Sequence, residues 1–396
     1  MHIAISGAGV AGPTLAWWLD RAGHDVTLIE QAPDFRTGGY IIDFWGVGYE
    51  VARRMGLEPA ILEAGYTVDR VRFVDKQGKP SASLPVSVFA KQLDGHFTSL
   101  PRGNLAALIY KSVEDRIRTR FGDSLASVEQ DEAKVFCTLT SGRTLEADML
   151  IGADGLHSKT RELVFGPEKQ FERDLGFRVA AFKVKGYRPR EEGVYVSHNE
   201  PGISMSRFSM ANDETLFMLV YRAGYAFGAR PENEAEVRDT LRGGFRQAGW
   251  EARAIMEAMD DADEIYFDVV SQIEMPSWSK GRVGLIGDAA ACVSLLAGEG
   301  TGLAMTEAYV LAGELQRAGN DVPAALTAYE HRLKPFLKSK QKAARSTASS
   351  FAPKTAFGVW FRNLVVNLMG LPFVADWALG GAVKDNFELP EYEAPK

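Results

Sequence analysis

Gly7-Ala8-Gly9-Val10-Ala11-Gly12 has the glycine spacing that cradles a diphosphate, and its flanks have the right shape for that task. His2–Ser6 before it is a short apolar strand. A helical pattern through Leu15, Trp18 and Leu19 follows and stops at Gly23, and Asp25–Glu30 is a β-branched strand ending in an acid. In a strand–turn–helix–strand unit, Gly7 permits the tight turn, Gly9 lets a pyrophosphate approach the backbone, and Gly12 lets the helix lie against the strand. The free N–H groups at the helix start, around Val10 and Ala11, receive phosphate oxygens. Glu30, with Gln31 beside it, is placed to accept hydrogen bonds from ribose hydroxyls. With no basic segment or cleavage-like site, the stretch does not read as a signal peptide.

Two later stretches repeat the theme. In Asp148–Arg161 a buried-type strand, Met149–Ile151, runs into Gly152-Ala153-Asp154-Gly155 and then a helix capped by Ser158. Such a turn lies just past a strand's carboxyl end, where open α/β sheets bind ligands. In Gly281–Gly302, the strand Val283–Ile286 meets the turn Gly287-Asp288, and Gly298, Gly300, Thr301 and Gly302 open another helix. Asp288 is positioned to accept from polyol hydroxyls. The glycines let a helix start abut a flat ring whose edge becomes negative on reduction. Cys292 reads as a buried, inert thiol, because nothing near it in sequence is cationic enough to activate it. Arg36 is either a phosphate ligand or a solvated loop cation. Arg102, in a first helical turn where the dipole disfavours a cation, either has an anionic partner or is an exposed cation at the helix end.

The elements that must position these residues fall into an α/β chain with a second layer. Strands are expected at 40–44, 68–75, 79–86, 125–130, 134–140 and 145–151, and one long helix from Pro101-Arg102 through Arg120. From Gly176 to Arg222 four strands follow without intervening helices, which predicts an antiparallel sheet. Two helices and a return strand at 265–274 complete it. The expected plan is a Rossmann-like domain made of 1–75, 101–172 and 276–350. A substrate domain of 76–100 and 173–275 is inserted in it, and 351–396 is a C-terminal bridging helix and tail. The apolar stretch 353–381 is interrupted by Arg362, Asn363, Asn367 and Asp376 and broken by Pro372, so a membrane span is not expected.

The 396 residues are 46% apolar and 24% charged, enough for a full core. A net charge of −7 gives no basic footprint for nucleic acid. Two distant cysteines and six scattered histidines give neither a disulfide framework nor metal spacing. The expectation is a cytoplasmic monomer or homodimer with no metal.

The three stretches GAGVAG, GADGLHSKTR and GDAAACVSLLAGEG together resemble the class A flavoprotein monooxygenases, the FAD enzymes related to p-hydroxybenzoate hydroxylase. Arg36-Thr37-Gly38-Gly39 followed by Asp43 makes the chain most similar to the tetracycline-inactivating and polyketide-tailoring branch. The resemblance implies bound FAD and a transient NAD(P)H. Glu30 would take the adenosine ribose, and Arg36, Gly39, Asp43 and Arg102 would line the path of FAD. Asp154-Gly155 would be the shared FAD/NAD(P)H motif, Gly287-Asp288 would hold the ribityl and pyrophosphate region, and Gly298–Gly302 would lie by the isoalloxazine. The implied reaction is oxygen transfer from a flavin hydroperoxide to an aromatic or polycyclic small molecule. Arg207 and Tyr221, with Phe208 and Met218, are the expected wall of the substrate pocket, and Arg207 and Tyr221 the expected catalytic contacts. The chain departs from the pattern at Ala291 (commonly His), near Ser294-Leu295 (commonly Pro), at Gly302 (commonly Asn) and at Gln31 (often Arg). These changes keep open an alternative, an FAD-binding biosynthetic protein that does not oxygenate.

Overall fold

A computed structural model describes residues 1–35, 40–88, 93, 96–224, 227, 230–370 and 385–392. Arg36 and Gly39 lie outside them. The first domain is built on a six-stranded sheet. Its order is Ser279–Lys280, Val283–Leu285, Met149–Gly152, His2–Ser6, Asp25–Glu30 and Arg118–Phe121. All neighbours are parallel except the first pair. Ile3, Ile5, Leu28, Met149, Ile151 and Leu285 are buried toward one side, with helices Ala11–Arg21 and Gly300–Arg317. Ala4, Ile29, Leu150 and Val283 are buried on the other, against the three-stranded sheet 125–147. Burial on both faces is why these strands read as unbroken apolar runs.

The helix expected through Arg120 ends at Lys111, and Arg118–Phe121 is instead the fifth parallel strand. The Arg-Thr-Arg-Phe sequence has no strong preference of its own, and pairing with Asp25–Glu30 decides it. The run 145–151 is two strands, Thr144–Ala147 and Met149–Gly152, parted at Asp148, which accepts from the His2 N–H.

The second domain is a seven-stranded sheet in the order Ile265–Ile273, Glu172–Lys185, Glu214–Arg222, Ile203–Ser209, Val194–Glu200, Arg70–Val74, Pro80–Pro85. It is antiparallel but for one pair, Val194–Glu200 with Arg70–Val74, where the ribbon from earlier in the chain joins it. Alternation gives it two faces. Phe182, Met205, Phe217, Leu219 and Tyr221 pack under helices Glu234–Phe245 and Ala252–Ala258. The other face, with Phe177, Val179, Val220, Phe208 and Met210, meets Tyr40, Ile41 and Leu295-Leu296 of the first domain.

Val322–Phe351 is one continuous helix of 30 residues. The described parts of the C-terminal segment make contacts in two places. Helix Ala356–Met369 bonds to Ser81, Ser83 and Asn199 of the second sheet. The tail then returns to the first domain, where Tyr392 donates to Glu314 and Arg54 pairs with Glu391.

Candidate active site

The three glycine-bearing stretches follow three neighbouring strands. Ser6 is opposite Gly152, and Gly152 is opposite Leu285, so the turns begin side by side at one edge of the sheet. Backbone bonds stitch them: Gly7 N–H to Ile29 O (2.7 Å), Ala153 N–H to Ser6 O (2.8 Å) and Ile286 N–H to Gly152 O (2.9 Å). The strand order reverses at His2–Ser6, the position where open α/β sheets form a ligand crevice.

The glycines of the first turn differ in what confines them. A Cβ on Gly7 would lie 2.4 Å from Ala153 O, and one on Gly12 would lie 2.0 Å from Gly7 O. Those two are required by the fold. A Cβ on Gly9 would meet no protein atom within 4 Å. Gly9 therefore keeps clear a space outside the protein's own packing. Glu30 accepts the Ala8 N–H and the Ala32 N–H, both at 2.8 Å, which ties the strand end to the same turn.

Asp154 is an anchor for its own turn. Its oxygens accept Thr160 N–H and Oγ1 (both 2.8 Å), Ser6 Oγ (3.4 Å) and Ser158 Oγ. Arg161, fully buried, then joins this stretch to the third. It donates to Leu156 O (2.6 Å) and Ala289 O (3.1 Å) and pairs with Glu168 (2.8 Å). His157 reaches Asp268 at 3.3 Å and Glu168 at 3.0 Å. The Asp268 bond, with help from Glu168 and against desolvation, lifts its pKa to about 9.

The Gly287-Asp288 turn hangs from Glu307, a residue the sequence reading passed over. Glu307 is buried in helix Gly300–Arg317 and accepts the Gly287 N–H (2.8 Å) and the Tyr329 hydroxyl (2.9 Å). Burial outweighs these bonds and pushes its pKa up to about 8. Asp288 follows, and its charge is felt by Arg102 and Tyr40, as is that of Asp268 by Tyr40. Arg102, whose N–H donates to Tyr40 O (3.0 Å), Asp288, Tyr40 and Tyr266 thus lie close together, and this group marks the candidate cofactor cleft. There Arg102 remains cationic: desolvation lowers its pKa, but Tyr40 and Asp288 more than compensate. Cys292 is buried and its thiol is pushed up by desolvation, as expected of an inert cysteine.

Beside this cleft, Asp43, Trp45, Val47, Gly48, Gly298, Glu299, Gly302 and Asp385 line a pocket. A Cβ on Gly48 would sit 2.2 Å from Gly302 Cα, so the two helices cross backbone to backbone. The Gly46-Val47-Gly48 spacing could have disclosed this. Asp43 accepts from Ser99 Oγ, and burial raises its pKa against that bond. Asp385 accepts the Val47 N–H (2.8 Å) and pairs with Lys340 (2.6 Å), which also holds Glu299 (2.8 Å).

The structure does not bring Arg207 and Tyr221 to this cleft. In the strand Ile203–Ser209, Phe208 faces the first domain, so Arg207 points the other way. There it pairs with Glu251 (2.9 Å) and Glu191 (3.2 Å). Tyr221 stacks on Phe227 at 3.8 Å on that same far side. Met218 does share the face of Phe208. The residues that occupy the wall instead are Tyr40, Tyr195, Phe208 and Tyr266, with Tyr195 stacked on Phe208 at 4.4 Å and Tyr40 5.6 Å from Tyr266.

Comparison with known proteins agrees with this arrangement. Residues 1–344 match the family described as FAD binding domain. The chain belongs to this FAD-binding family of flavin-dependent monooxygenases. A flavin-dependent monooxygenase from an unknown prokaryotic organism is 34% identical over 355 residues, 89% of this chain and 90% of that protein. The FAD-dependent monooxygenase asL4 of Sarocladium schorii is 32% identical and covers 99% of this chain and 98% of its own. Among solved structures, the tetracycline destructase Tet(55) superposes with a TM-score of 0.84 at 30% identity, covering 98% of each chain. The residues present fit FAD. The Gly9 clearance suits a pyrophosphate, Arg102 supplies a buried cation, and Asp288 supplies an acceptor on the same cleft.

Proposed function

We propose that the protein uses NAD(P)H and O2 to insert one oxygen atom into a flat polycyclic phenol or enol, and that the gathered glycine turns hold FAD for this. The carrying observation is that three glycine-bearing turns lie side by side on adjacent strand ends, while the face of the second sheet that carries Tyr195, Phe208 and Tyr266 packs on Tyr40 and Ile41 of the first domain. When bound, FAD supplies the redox and oxygen-transfer chemistry.

The chain's own residues bind, orient and exclude water. The N–H groups around Gly9, Val10 and Ala11 receive the pyrophosphate, and Glu30 borders the adenosine ribose. Arg102 offsets phosphate charge, and Asp288 accepts from the ribityl chain. Gly298–Gly302 and the start of helix Gly300–Arg317 would border the ring and would offer negative charge there a positive dipole end. Leu295 and Leu296, packed on the second sheet near the common His and Pro positions, keep water from the ring. Tyr195, partly buried and stacked on Phe208, would offer its ring to a flat substrate. Similarity to a tetracycline destructase and to a fungal monooxygenase supports a polycyclic, polyketide-like substrate class.

The test is NADPH and NADH oxidation with a panel of anthraquinones, tetracyclines and smaller phenols under ¹⁸O2. Substrate-stimulated oxidation with one ¹⁸O atom in the product is expected. Tight FAD binding with no product from any member would favour the non-oxygenating alternative, for which Ala291 and Leu295 are the distinguishing residues.

A further inference from the structure

Helix Ala356–Met369 is turned inside out compared with an ordinary surface helix. Its polar side chains face the protein. Asn363 donates to Ser81 Oγ (3.1 Å), Asn367 donates to Ser81 O (3.2 Å) and accepts the Ser83 N–H (3.1 Å). Arg362 donates to Asn199 (3.0 Å), and its guanidinium lies 4.1 Å from the Phe73 ring centre. Phe357, Trp360, Phe361, Leu364, Val365 and Leu368 repeat at helical spacing on the opposite side and stay 37–70% exposed. They are six of the eight large exposed hydrophobic residues among those described. Arg362 is the sole ionisable side chain in the helix, and it is turned inward.

The apolar area left bare follows from those fractions. With about 150–250 Å² per aromatic side chain and somewhat less per aliphatic one, it is about 600 Å², the top of the range for a monomer's largest patch. Two such faces together bury about 1,200 Å², the lower limit of a standard specific interface.

We propose that this face is the contact of a homodimer, with the helices of two copies paired antiparallel across a two-fold axis. Two-fold pairing sets each surface against itself, so a charge near the axis would meet its like. A face without charges has no such repulsion. Lipid is the weaker fit, because membrane-surface helices carry a basic rim, whereas this chain is at −7 and turns its one helix cation inward.

The experiment is sedimentation velocity on the FAD-loaded enzyme from about 1 to 50 μM, a range that brackets a typical homodimer's Kd. Wild type sediments as a dimer. Trp360→Asp weakens dimerisation by about 30-fold or more and leaves flavin content and turnover unchanged, while Leu62→Asp, at an exposed hydrophobic residue elsewhere, stays dimeric. Leu364→Cys gives an independent reading, because native Cys137 and Cys292 are both buried. Mild oxidation cross-links this variant to itself and leaves Leu62→Cys uncross-linked. A wild type that is monomeric throughout overturns the proposal, and flotation of that monomer with phosphatidylcholine vesicles assigns the face to lipid. A Trp360→Asp variant that dimerises as wild type does also overturns it.

Discussion

Gly9→Ala separates a glycine kept for a ligand from glycines kept for the fold. The added methyl meets no protein atom within 4 Å, and the backbone at Gly9 is outside the left-handed region. Replacing glycine where alanine fits removes unfolded-state freedom, so the FAD-free protein gains about 0.4–1 kcal/mol or stays unchanged. The pyrophosphate should need that space. Displacing it forfeits one or two hydrogen bonds to a charged group, each worth about 1.5–3 kcal/mol, and FAD binding weakens by about 10- to 100-fold or more. Gly12→Ala is the control. Its methyl would be 2.0 Å from Gly7 O, and it lowers stability by several kcal/mol whether or not flavin is present. Urea unfolding of the flavin-free protein gives the first quantity, and quenching of flavin fluorescence on titration gives the second. If Gly9→Ala binds FAD with wild-type affinity, the pyrophosphate does not lie over Gly9 and the reasoning fails.

Further outcomes follow from the same contacts. Asp288→Ala should weaken FAD binding by about tenfold or more, since it removes an acceptor in the cleft, and equilibrium dialysis at unchanged affinity would refute its assignment. Glu307 has a folded pKa near 8, above its ordinary value, so the stability it allows is complete below about pH 4.5 and declines as pH rises through 8. Glu307→Gln keeps both acceptor contacts, so the decline between about pH 4.5 and 8 should flatten in urea melts; a slope like wild type's would show that Glu307 does not carry it. Arg207→Met leaves Glu251 with the Tyr187 hydroxyl and Glu191 with Arg72, and the lost charged hydrogen bonds cost about 1.5–3 kcal/mol of stability. The folded variant should keep its kcat/KM, and a large loss of kcat/KM with normal stability would return Arg207 to the active site.

Much of the site was legible because local chemistry forces it. A GxGxxG turn between a β-strand and a helix start, followed by a second strand that ends in an acid, is a local signature of a diphosphate turn, and the three stretches lie side by side on adjacent strand ends. The mostly apolar runs 3–5, 26–29 and 149–151 marked buried parallel strands, since a strand buried on both faces has few polar positions; Thr27 is the polar residue among them, and its hydroxyl bonds His2. Residues whose role is to hold another residue left weaker traces. Glu307 reads as one acid in an ordinary helix until its bond to Gly287 is seen, and Asp385 reads as tail until it meets Val47 and Lys340.

The amino-acid sequence alone thus determined the cofactor class and the order of the nucleotide-binding unit, because those depend on residues adjacent in the chain. Tertiary structure decided what depends on facing. Strand alternation predicts that Arg207 and Phe208 point apart, but not which of the two faces the first domain. Packing of helices Glu234–Phe245 and Ala252–Ala258 over Met205, Phe217 and Tyr221 settles that choice, and it carries Arg207 to Glu251, away from the cleft. The C-terminal helix obeys the same logic. Its pattern fixes an apolar stripe, and only the hydrogen bonds of Asn363 and Asn367 to the sheet edge turn that stripe outward.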